Sequence, residues 1–434
     1  MSFDRRTFLA AAAASAALPA AAQRATGAAF PKGFLWGAAT AGHQVEGNNV
    51  NSDLWLLEQV KPSVFSEPSG DAVNSFELWP VDLDLVKSIG LNSYRFSLEW
   101  ARIEPEPGMF SIAMLDHYKA MVDGCRARGI APLVTFCHYS APRWFAARGG
   151  WLNKDAPQLF ANFCGRAMRH LGGGISHAMT LNEPNIVPML NVVLPPQAQP
   201  VISAMLDAAA RQLGTPTLAV ANSTKQSDIP ALSAALLAAH RVGKQAIKAE
   251  RGDVPVGMTL AMFDDQAVGA PTRRDAMRKQ LYGMWLEAAR DDDFVGVQNY
   301  ERVLWGPEGR LPPPAGSVLT QGGGEVYAAS LANACRYAHE QARVPVIVTE
   351  HGVSATDDTI RVNLIRGALA ELQKAIAGGL PVQGYVHWSL LDNYEWVAGF
   401  KYRHGLFAVD RSNFQRTAKP SAAVLGAIAR RNAL

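Results

Sequence analysis

The sequence has few cysteines, little excess charge and no long apolar segment, and each shortage excludes a class of protein. Four cysteines occur in 434 residues, at spacings that match no zinc motif or disulfide framework (Cys125, Cys137, Cys164 and Cys335). The formal net charge of +3 is too small to indicate a surface that binds nucleic acid or a membrane. The sequence has no run of about 18 consecutive apolar residues followed by a stop-transfer pattern, so we predict no transmembrane helix. We therefore expect buried free thiols, no metal, no nucleic-acid partner and no integration into a membrane.

An internal linker and a short repeat are also lacking, which argues against several domains. The 48% of residues that are hydrophobic are sufficient for a large buried core. Length alone would favour roughly two or three domains, but α/β barrels often exceed about 250 residues as one domain. We predict an export signal with a short N-terminal segment at 1–29, followed by one catalytic domain at 30–434.

The N-terminal segment has the three parts of an export signal. Arg5 and Arg6 precede a run of small apolar residues from Ala10 to Ala22. A charged start, an apolar middle and a small-residue end are typical of signal peptides, and the paired arginines fit the twin-arginine type. The pattern predicts export by the twin-arginine machinery. It also predicts cleavage after Ala22, with Ala25 and Ala29 as alternatives. The protein would then be periplasmic or secreted in a bacterium; the alternative is an uncleaved alanine-rich helix.

From Phe30 onward, short apolar runs alternate with amphipathic stretches or long loops. The runs are Phe34–Thr40, Ser93–Trp100, Ala131–His138, Ala178–Glu183, Val254–Leu260, Asp293–Tyr300, Pro345–Glu350 and Gln383–Leu391. Helical patterns include Met114–Arg128, Ala156–Leu171, Arg273–Arg290, Glu325–Ala342 and Thr359–Ala377. Eight strands of this kind close a barrel, so we predict an α/β fold, a single (β/α)8 TIM barrel with elaborated βα loops. Val192–Asp228 is predicted to be the longest irregular insertion, at the mouth of the barrel.

Polar and aromatic side chains stand within or just beyond the carboxyl ends of these runs, where barrel enzymes carry their functional groups. They are Gln44, Arg95, His138, Asn182, Glu183, Tyr300, Glu350, Trp388, Glu395 and Trp396. Two of them, Glu183 and Glu350, would face each other across the barrel. Paired carboxyl groups cleave glycosidic bonds, because one protonates the departing oxygen while the other attacks or stabilises the cationic sugar carbon. A raised pKa would keep one protonated, and Arg95 is the natural group to keep the other ionised.

The same residues lie in motifs that resemble glycoside hydrolase family 1, the β-glucosidase family, from Phe30 to about Asp410. The motifs are FPKGFLWGAATAGHQVEG at 30–47, YRFSLEWARIEPEPG at 94–108, TLNEP at 180–184, VTEHG at 348–352, HWSLLDNYEWVAGF at 387–400 and KYRHGLFAVD at 401–410. The resemblance implies that Glu183 is the general acid/base and Glu350 the nucleophile of a retaining β-glycosidase. The implied substrate is a β-glycoside or oligosaccharide with a terminal non-reducing β-D-glucosyl residue, with galactosyl and fucosyl residues as alternatives. It implies no cofactor.

The resemblance also implies a role for each remaining residue. Gln44, His138, Asn182, Glu395 and Trp396 would form the pocket for the non-reducing sugar (the glycone). Trp388 would form its floor by stacking on the sugar ring. Arg95 and Tyr300 would hydrogen-bond Glu350. These roles suit a polyol ring, which needs hydrogen-bonding groups and an aromatic platform.

Several positions depart from the family pattern. Tyr139 stands where tryptophan is usual, Asn185 where an aromatic residue is common, and His351 and Gln298 where asparagine is usual. We expect Tyr139 and Asn185 to lie where the sugar and the leaving group meet. Glu395 stands where relatives that act on 6-phosphorylated sugars carry serine and basic residues, and its carboxylate would repel a phosphate.

Two other functions are compatible with the same motifs. A non-catalytic sugar-binding barrel would keep the pocket without the chemistry, although both carboxyl groups are present. A transglycosylase would share the same covalent intermediate and pass the sugar to an alcohol.

Overall fold

The computed structural model describes residues 29–434, and its centre is a closed barrel of eight parallel strands. The strands are β1 (Leu35–Ala39), β2 (Ser93–Ser97), β3 (Ala131–Cys137), β4 (His177–Asn182), β5 (Val256–Ala261), β6 (Phe294–Asn299), β7 (Val346–His351) and β8 (Val382–Trp388). Each pairs with its neighbours in chain order, and β1 closes the barrel by pairing with both β2 and β8. The predicted (β/α)8 barrel is confirmed. Residues 1–28 of the predicted export segment lie outside the described residues.

The barrel strands are buried along almost their whole length because both of their faces are covered. All six residues of β7 are buried, with no alternation of buried and exposed positions. Inside the barrel, side chains from different strands form one small cluster that includes Leu133, Met179, Phe294 and Ile347. A larger core lies between the strands and the outer helices. The four cysteines are buried and unpaired, as predicted.

Helices surround the barrel. Those of seven residues or more are Asp53–Gln59, Ser75–Ser88, Ile112–Ala127, Ala156–Leu171, Ile186–Val193, Ala198–Leu213, Ile229–Glu250, Arg274–Ala288, Ser330–Ala342, Asp358–Ala377 and Pro420–Arg431. The prediction of a helix from Glu325 is wrong, because the helix begins at Ser330. Glu325 instead forms a β-bridge and a 2.6 Å ion pair with Arg302. No helix among residues 29–434 is long and apolar enough to cross a membrane.

The stretch 192–228 is not irregular, and that prediction is corrected. It contains the end of the helix Ile186–Val193 and the whole 16-residue helix Ala198–Leu213. The second helix buries Ile202, Met205, Leu206 and Ala209. Their spacing places them on one helical face, a pattern that the high proline and alanine content obscured.

Among the described residues, two small sheets lie outside the barrel. One joins Asp264–Ala267, Arg302–Trp305 and Arg310–Leu311, in the connections that follow β5 and β6. The other is a hairpin of Phe407–Asp410 and Gln415–Ala418, beyond β8. The first of these sheets helps to build the rim of the barrel next to Tyr300, which directly follows β6.

Candidate active site

A cavity of about 670 Å³ opens at the carboxyl ends of the strands. Nine of the ten predicted site residues line it: Gln44, His138, Asn182, Glu183, Tyr300, Glu350, Trp388, Glu395 and Trp396. The tenth, Arg95, is completely buried on β2, behind the carboxyl group of Glu350. The structure therefore brings all ten residues to one site.

Glu350, on β7, is held by two donors. Nη1 of Arg95 lies 2.5 Å from its Oε1, and the hydroxyl of Tyr300 donates to its Oε2 at 2.6 Å. Burial raises the pKa of Glu350, while the Arg95 guanidinium and the Tyr300 hydrogen bond act in the opposite direction. With both oxygens engaged, the carboxylate has a fixed orientation and strong support for its charge.

The side chain of Asn182, at the end of β4, is oriented by three donors that share its oxygen. Oδ1 accepts from Nη2 of Arg95 at 2.6 Å and from Nε2 of Gln298 at 2.8 Å. The hydroxyl of Thr259 donates to the same atom at 3.3 Å. The amide N–H groups of Asn182 take no part in these three bonds and can donate to the Tyr139 hydroxyl and to a ligand in the cavity.

Glu183 directly follows β4 and has different surroundings. Burial raises its pKa to about 8, and the negative charge of Glu350 acts in the same direction. Its Oε2 accepts a hydrogen bond from the hydroxyl of Tyr139. The residue has φ = 42°, a left-handed conformation that costs a non-glycine residue free energy and is frequent at functional sites. At neutral pH this carboxyl group holds its proton more readily than an ordinary glutamate and suits a proton donor.

The other polar residues form one end of the cavity. Nε2 of Gln44 lies 3.5 Å from Oε2 of Glu395, and the indole N–H of Trp388 donates to Oε1 of Glu395 at 3.2 Å. The rings of His138 and Trp388 are stacked with centroids 5.7 Å apart. Oε1 of Gln44 and Nδ1 of His138 are buried without a hydrogen-bond partner among the described residues. Unpaired buried polar atoms beside an indole ring fit a ligand that carries both hydroxyl groups and an apolar ring face.

No lysine or arginine is among the described residues that line the cavity. Burial lowers the pKa of His138 well below its usual range, so this ring is neutral. Burial also raises the pKa of Glu395 well above its usual range, so its charge opposes a phosphate less than the sequence implied. The better reason against a phosphorylated sugar is the lack of a lining cation to pair with it.

Comparisons with known proteins show the family to which the chain belongs. A family model described as glycosyl hydrolase family 1 matches residues 26–250 and 324–434. The chain belongs to glycosyl hydrolase family 1. A beta-glucosidase from Agrobacterium sp. is 30% identical over 93% of this chain and 95% of its own length. The solved structure of beta-glycosidase BGL167 has a TM-score of 0.88 at 45% identity, covering 93% of this chain and 98% of that one. Beta-glucosidase 1317 also has a TM-score of 0.88, at 39% identity, covering 92% of this chain and 98% of that one.

The family model leaves out residues 251–323, which carry β5, β6 and Tyr300. In the structure, Tyr300 nevertheless donates a hydrogen bond to Glu350. Gln298 and Thr259 both donate to Asn182. Gln298 was noted in the sequence only as a departure from the family pattern. Its contact with Asn182 shows that it belongs to the support of the site.

Tyr139 and Asn185 were the two departures from the family pattern expected where the sugar and the leaving group meet, and only one of them lies there. Tyr139 lines the cavity, but Asn185 is completely buried beneath it. Nδ2 of Asn185 donates to the backbone oxygen of Ala261 at 2.8 Å, and its Oδ1 accepts from the Ala261 N–H at 3.1 Å. Asn185 thus ties the end of β4 to the end of β5, and the expectation that it meets the substrate is corrected. His351 also lies outside the cavity lining, bonded to the Tyr385 hydroxyl at 2.9 Å.

His404 was not among the predicted residues, yet it lines the cavity beside Tyr300, with ring centroids 5.8 Å apart. Its Nδ1 is buried without a partner among the described residues, and burial lowers its pKa to about 3. The only signal for it was its position in the KYRHGLFAVD motif at 401–410. A neutral histidine with an unpaired nitrogen is a further group that can hydrogen-bond a ligand.

We expect Tyr139→Phe to move the basic limb of the pH profile of kcat/KM to higher pH. Burial and the neighbouring Glu183 raise the pKa of Tyr139 well above its usual range, so the phenol keeps its proton and donates it in a hydrogen bond. That hydrogen bond lowers the pKa of Glu183, and its removal should let this pKa rise. The value of kcat/KM should fall by about twofold to tenfold at the optimum, as for the loss of one hydrogen bond.

Tyr337→Phe, which removes a phenol hydroxyl outside the cavity lining, is the matched control. Its pH profile should coincide with that of the wild type. A Tyr139→Phe profile that also coincides with the wild type would show that the hydroxyl does not act on the pKa of Glu183.

Proposed function

We propose that this protein is a retaining β-glycosidase that releases terminal non-reducing β-D-glucosyl residues, with Glu350 as nucleophile and Glu183 as general acid/base. One observation carries the proposal. Two buried carboxyl groups share a cavity, but their surroundings favour the ionised form of one and the protonated form of the other. Glu350 is bonded by Arg95 and Tyr300, which favour its ionised form. Burial raises the pKa of Glu183 to about 8, which favours its protonated form. Carboxyl groups with pKa values pushed apart can serve as acid and nucleophile.

The reaction would follow two displacements. Glu350 attacks the anomeric carbon while Glu183 protonates the glycosidic oxygen, so the alcohol leaves and a glycosyl ester of Glu350 forms. The Glu183 carboxylate then takes a proton from water, whose oxygen attacks the same carbon and releases Glu350. Two inversions at one carbon retain the β configuration of the sugar.

The sugar would occupy the polar end of the cavity. Trp388 would stack against the ring, Gln44 and Glu395 would bind hydroxyls at its far edge, and Asn182 would donate to the 2-hydroxyl. Glucose is proposed as the sugar because the relatives from Agrobacterium and from Arabidopsis thaliana, the latter 28% identical over 91% of this chain, are both named as beta-glucosidases.

Hydrolysis of nitrophenyl β-D-glucoside, followed by proton NMR of the first-formed sugar, tests this function. We expect β-glucose to appear first and the α anomer only later by mutarotation. First-formed α-glucose would overturn the double displacement. The β-galactoside and β-fucoside, assayed in parallel, define the glycone, and faster turnover of either would replace glucose in the proposal. Added alcohol distinguishes transglycosylation, which gives an alkyl β-glucoside in place of free sugar. A folded protein without turnover on any β-glycoside would favour a sugar-binding barrel.

We also propose that the chain is exported through the twin-arginine pathway and acts in the periplasm or outside the cell. The support is the pattern of Arg5, Arg6 and the apolar run that follows. In a bacterial host, we expect a mature protein beginning at Gln23 in the periplasm. The double substitution Arg5→Lys and Arg6→Lys should keep it in the cytoplasm with the segment uncleaved. Arg24→Lys, beyond the pair, is the control, and periplasmic Lys-Lys protein would contradict this pathway.

A further inference from the structure

We propose that the leaving group of the substrate is a bulky, uncharged hydrocarbon alcohol, a long alkyl or fused-ring alcohol, and not a second sugar. The inference rests on the proposed function, because it concerns the part of the same cavity that the departing alcohol occupies. The polar residues described above form only one end of this cavity. Side chains that have not yet been assigned a role line the rest.

One wall begins directly at the proposed proton donor. The helix Ile186–Val193 follows Glu183, and the backbone N–H of Ile186 donates to the Glu183 carbonyl oxygen at 2.9 Å. Ile186, Leu190 and Leu194 all line the cavity. Successive members of this set are four positions apart, so they form one aliphatic stripe that runs outward from Glu183. A group that leaves from the oxygen protonated by Glu183 is released against this stripe.

Lining residues from the next helix and from two further segments are apolar as well. Ile202 and Val201, on the helix Ala198–Leu213, line the cavity, and Val201 is 37% exposed. Phe65 and Val397 also line it, from two segments joined by a 3.1 Å hydrogen bond between the N–H of Ser66 and the Val397 carbonyl oxygen. Val397 is 45% exposed. Exposed aliphatic side chains that line a cavity are typical of a site that binds an apolar ligand.

A sugar as leaving group would need hydrogen bonds along its whole perimeter, and this wall offers few. Asn191 lies on it, but the side-chain amide of Asn191 is bonded to Gln199 and Gln226. Beyond the sugar end, the buried lining atoms without a partner among the described residues are Oε1 of Gln199, Oδ1 of Asn222 and Oγ1 of Thr224. They fit one hydroxyl group on an otherwise hydrocarbon skeleton better than a second polyol ring.

The size and charge of the cavity agree with this class of alcohol. A volume of about 670 Å³ lies within the range of pockets that hold drug-sized ligands. The described lining residues include no lysine or arginine, and the acidic ones are the three glutamates at the sugar end. A charged leaving group would therefore have no partner on the aliphatic walls.

The test compares kcat/KM for ethyl, butyl, hexyl and octyl β-D-glucosides, with β-D-glucosyl fluoride as reference. The four alkyl leaving groups share the same chemistry and differ only in the apolar surface area that they can bury. We expect kcat/KM to rise by about twofold to fourfold for each added methylene, since a fully buried methylene contributes about a fourfold factor. Cellobiose, whose leaving group is a second glucose, should be cleaved less efficiently than the octyl glucoside. A flat alkyl series, or cellobiose as the better substrate, would overturn the inference.

Leu190→Asn introduces a polar side chain of similar size into the stripe. We expect the ratio of octyl glucoside to glucosyl fluoride kcat/KM to fall at least about tenfold. Leu319→Asn makes the same change at a leucine outside the cavity lining, 47% exposed, and should keep the wild-type ratio. An unchanged ratio in Leu190→Asn would contradict the stripe as the binding surface. If Leu190→Asn does not fold, the wild-type series alone decides.

The failure of the proposed function is distinguishable from the failure of this inference. An inactive protein would cleave neither glucosyl fluoride nor any alkyl glucoside, whereas a wrong leaving-group class leaves glucosyl fluoride hydrolysis intact. In the inactive case, tryptophan fluorescence titrations with methyl and octyl 1-thio-β-D-glucoside decide the inference directly. Tighter binding of the octyl compound supports it, and equal affinity overturns it.

Discussion

Glu350→Ala is expected to abolish hydrolysis of nitrophenyl β-D-glucoside, with kcat falling by at least about 10⁴-fold. Among the described residues, no other carboxyl group is bonded by both Arg95 and Tyr300, so we expect no neighbour to replace Glu350 as the proposed nucleophile. Steady-state kinetics on purified protein give the loss. Circular dichroism shows whether the fold survives the removal of the Arg95 partner.

Glu308→Ala, which removes an exposed glutamate, is the matched control and should have wild-type kinetics. Added azide provides a second check, because a small anion can enter the space vacated by the carboxylate. It should restore partial turnover of a substrate with a good leaving group and give an α-glycosyl azide, the product of one inversion. Near-full activity of Glu350→Ala without azide would show that the nucleophile lies elsewhere.

Glu183→Ala is expected to lower kcat/KM by about 10²–10⁴-fold for an alkyl glucoside, whose leaving alcohol needs a proton. The loss should be much smaller for a dinitrophenyl glucoside, whose leaving group departs unprotonated. The pH profile adds an independent measurement. Since burial raises the pKa of Glu183 to about 8, wild-type kcat/KM should decline above that pH as the acid loses its proton. The variant has no acid to titrate, so this basic limb should disappear.

Glu183→Gln, which keeps the volume and the hydrogen-bond acceptor for Tyr139, separates proton donation from positioning. It should resemble the alanine variant on alkyl glucosides and also lack the basic limb. Equal losses for alkyl and dinitrophenyl leaving groups, or a basic limb that persists in both variants, would assign Glu183 another role.

Much of this fold could be predicted from local patterns. Parallel strands that are covered on both faces appear as continuous apolar runs, and each of the eight predicted runs overlaps a barrel strand. The helix Ala156–Leu171 was predicted with its observed ends, because its apolar period is strong and a glycine follows it. Glu325–Ala342 failed at its start because Glu325 pairs with Arg302, far away in the sequence. The pairing competes with helix formation, and no local pattern reveals it.

The sequence by itself determined which strand ends carry the polar residues, and barrel closure brings those ends to one rim. This is why Glu183, Glu350 and their eight predicted neighbours meet at one site. Only the tertiary structure decided which loop residues face that site. Asn185 turns beneath it to bond the backbone of Ala261, while Tyr139 bonds Glu183. The aliphatic stripe from Ile186 to Leu194 became visible only with its cavity. The physical reason is that strand direction follows from the chain alone, whereas the orientation of a loop side chain depends on partners distant in sequence.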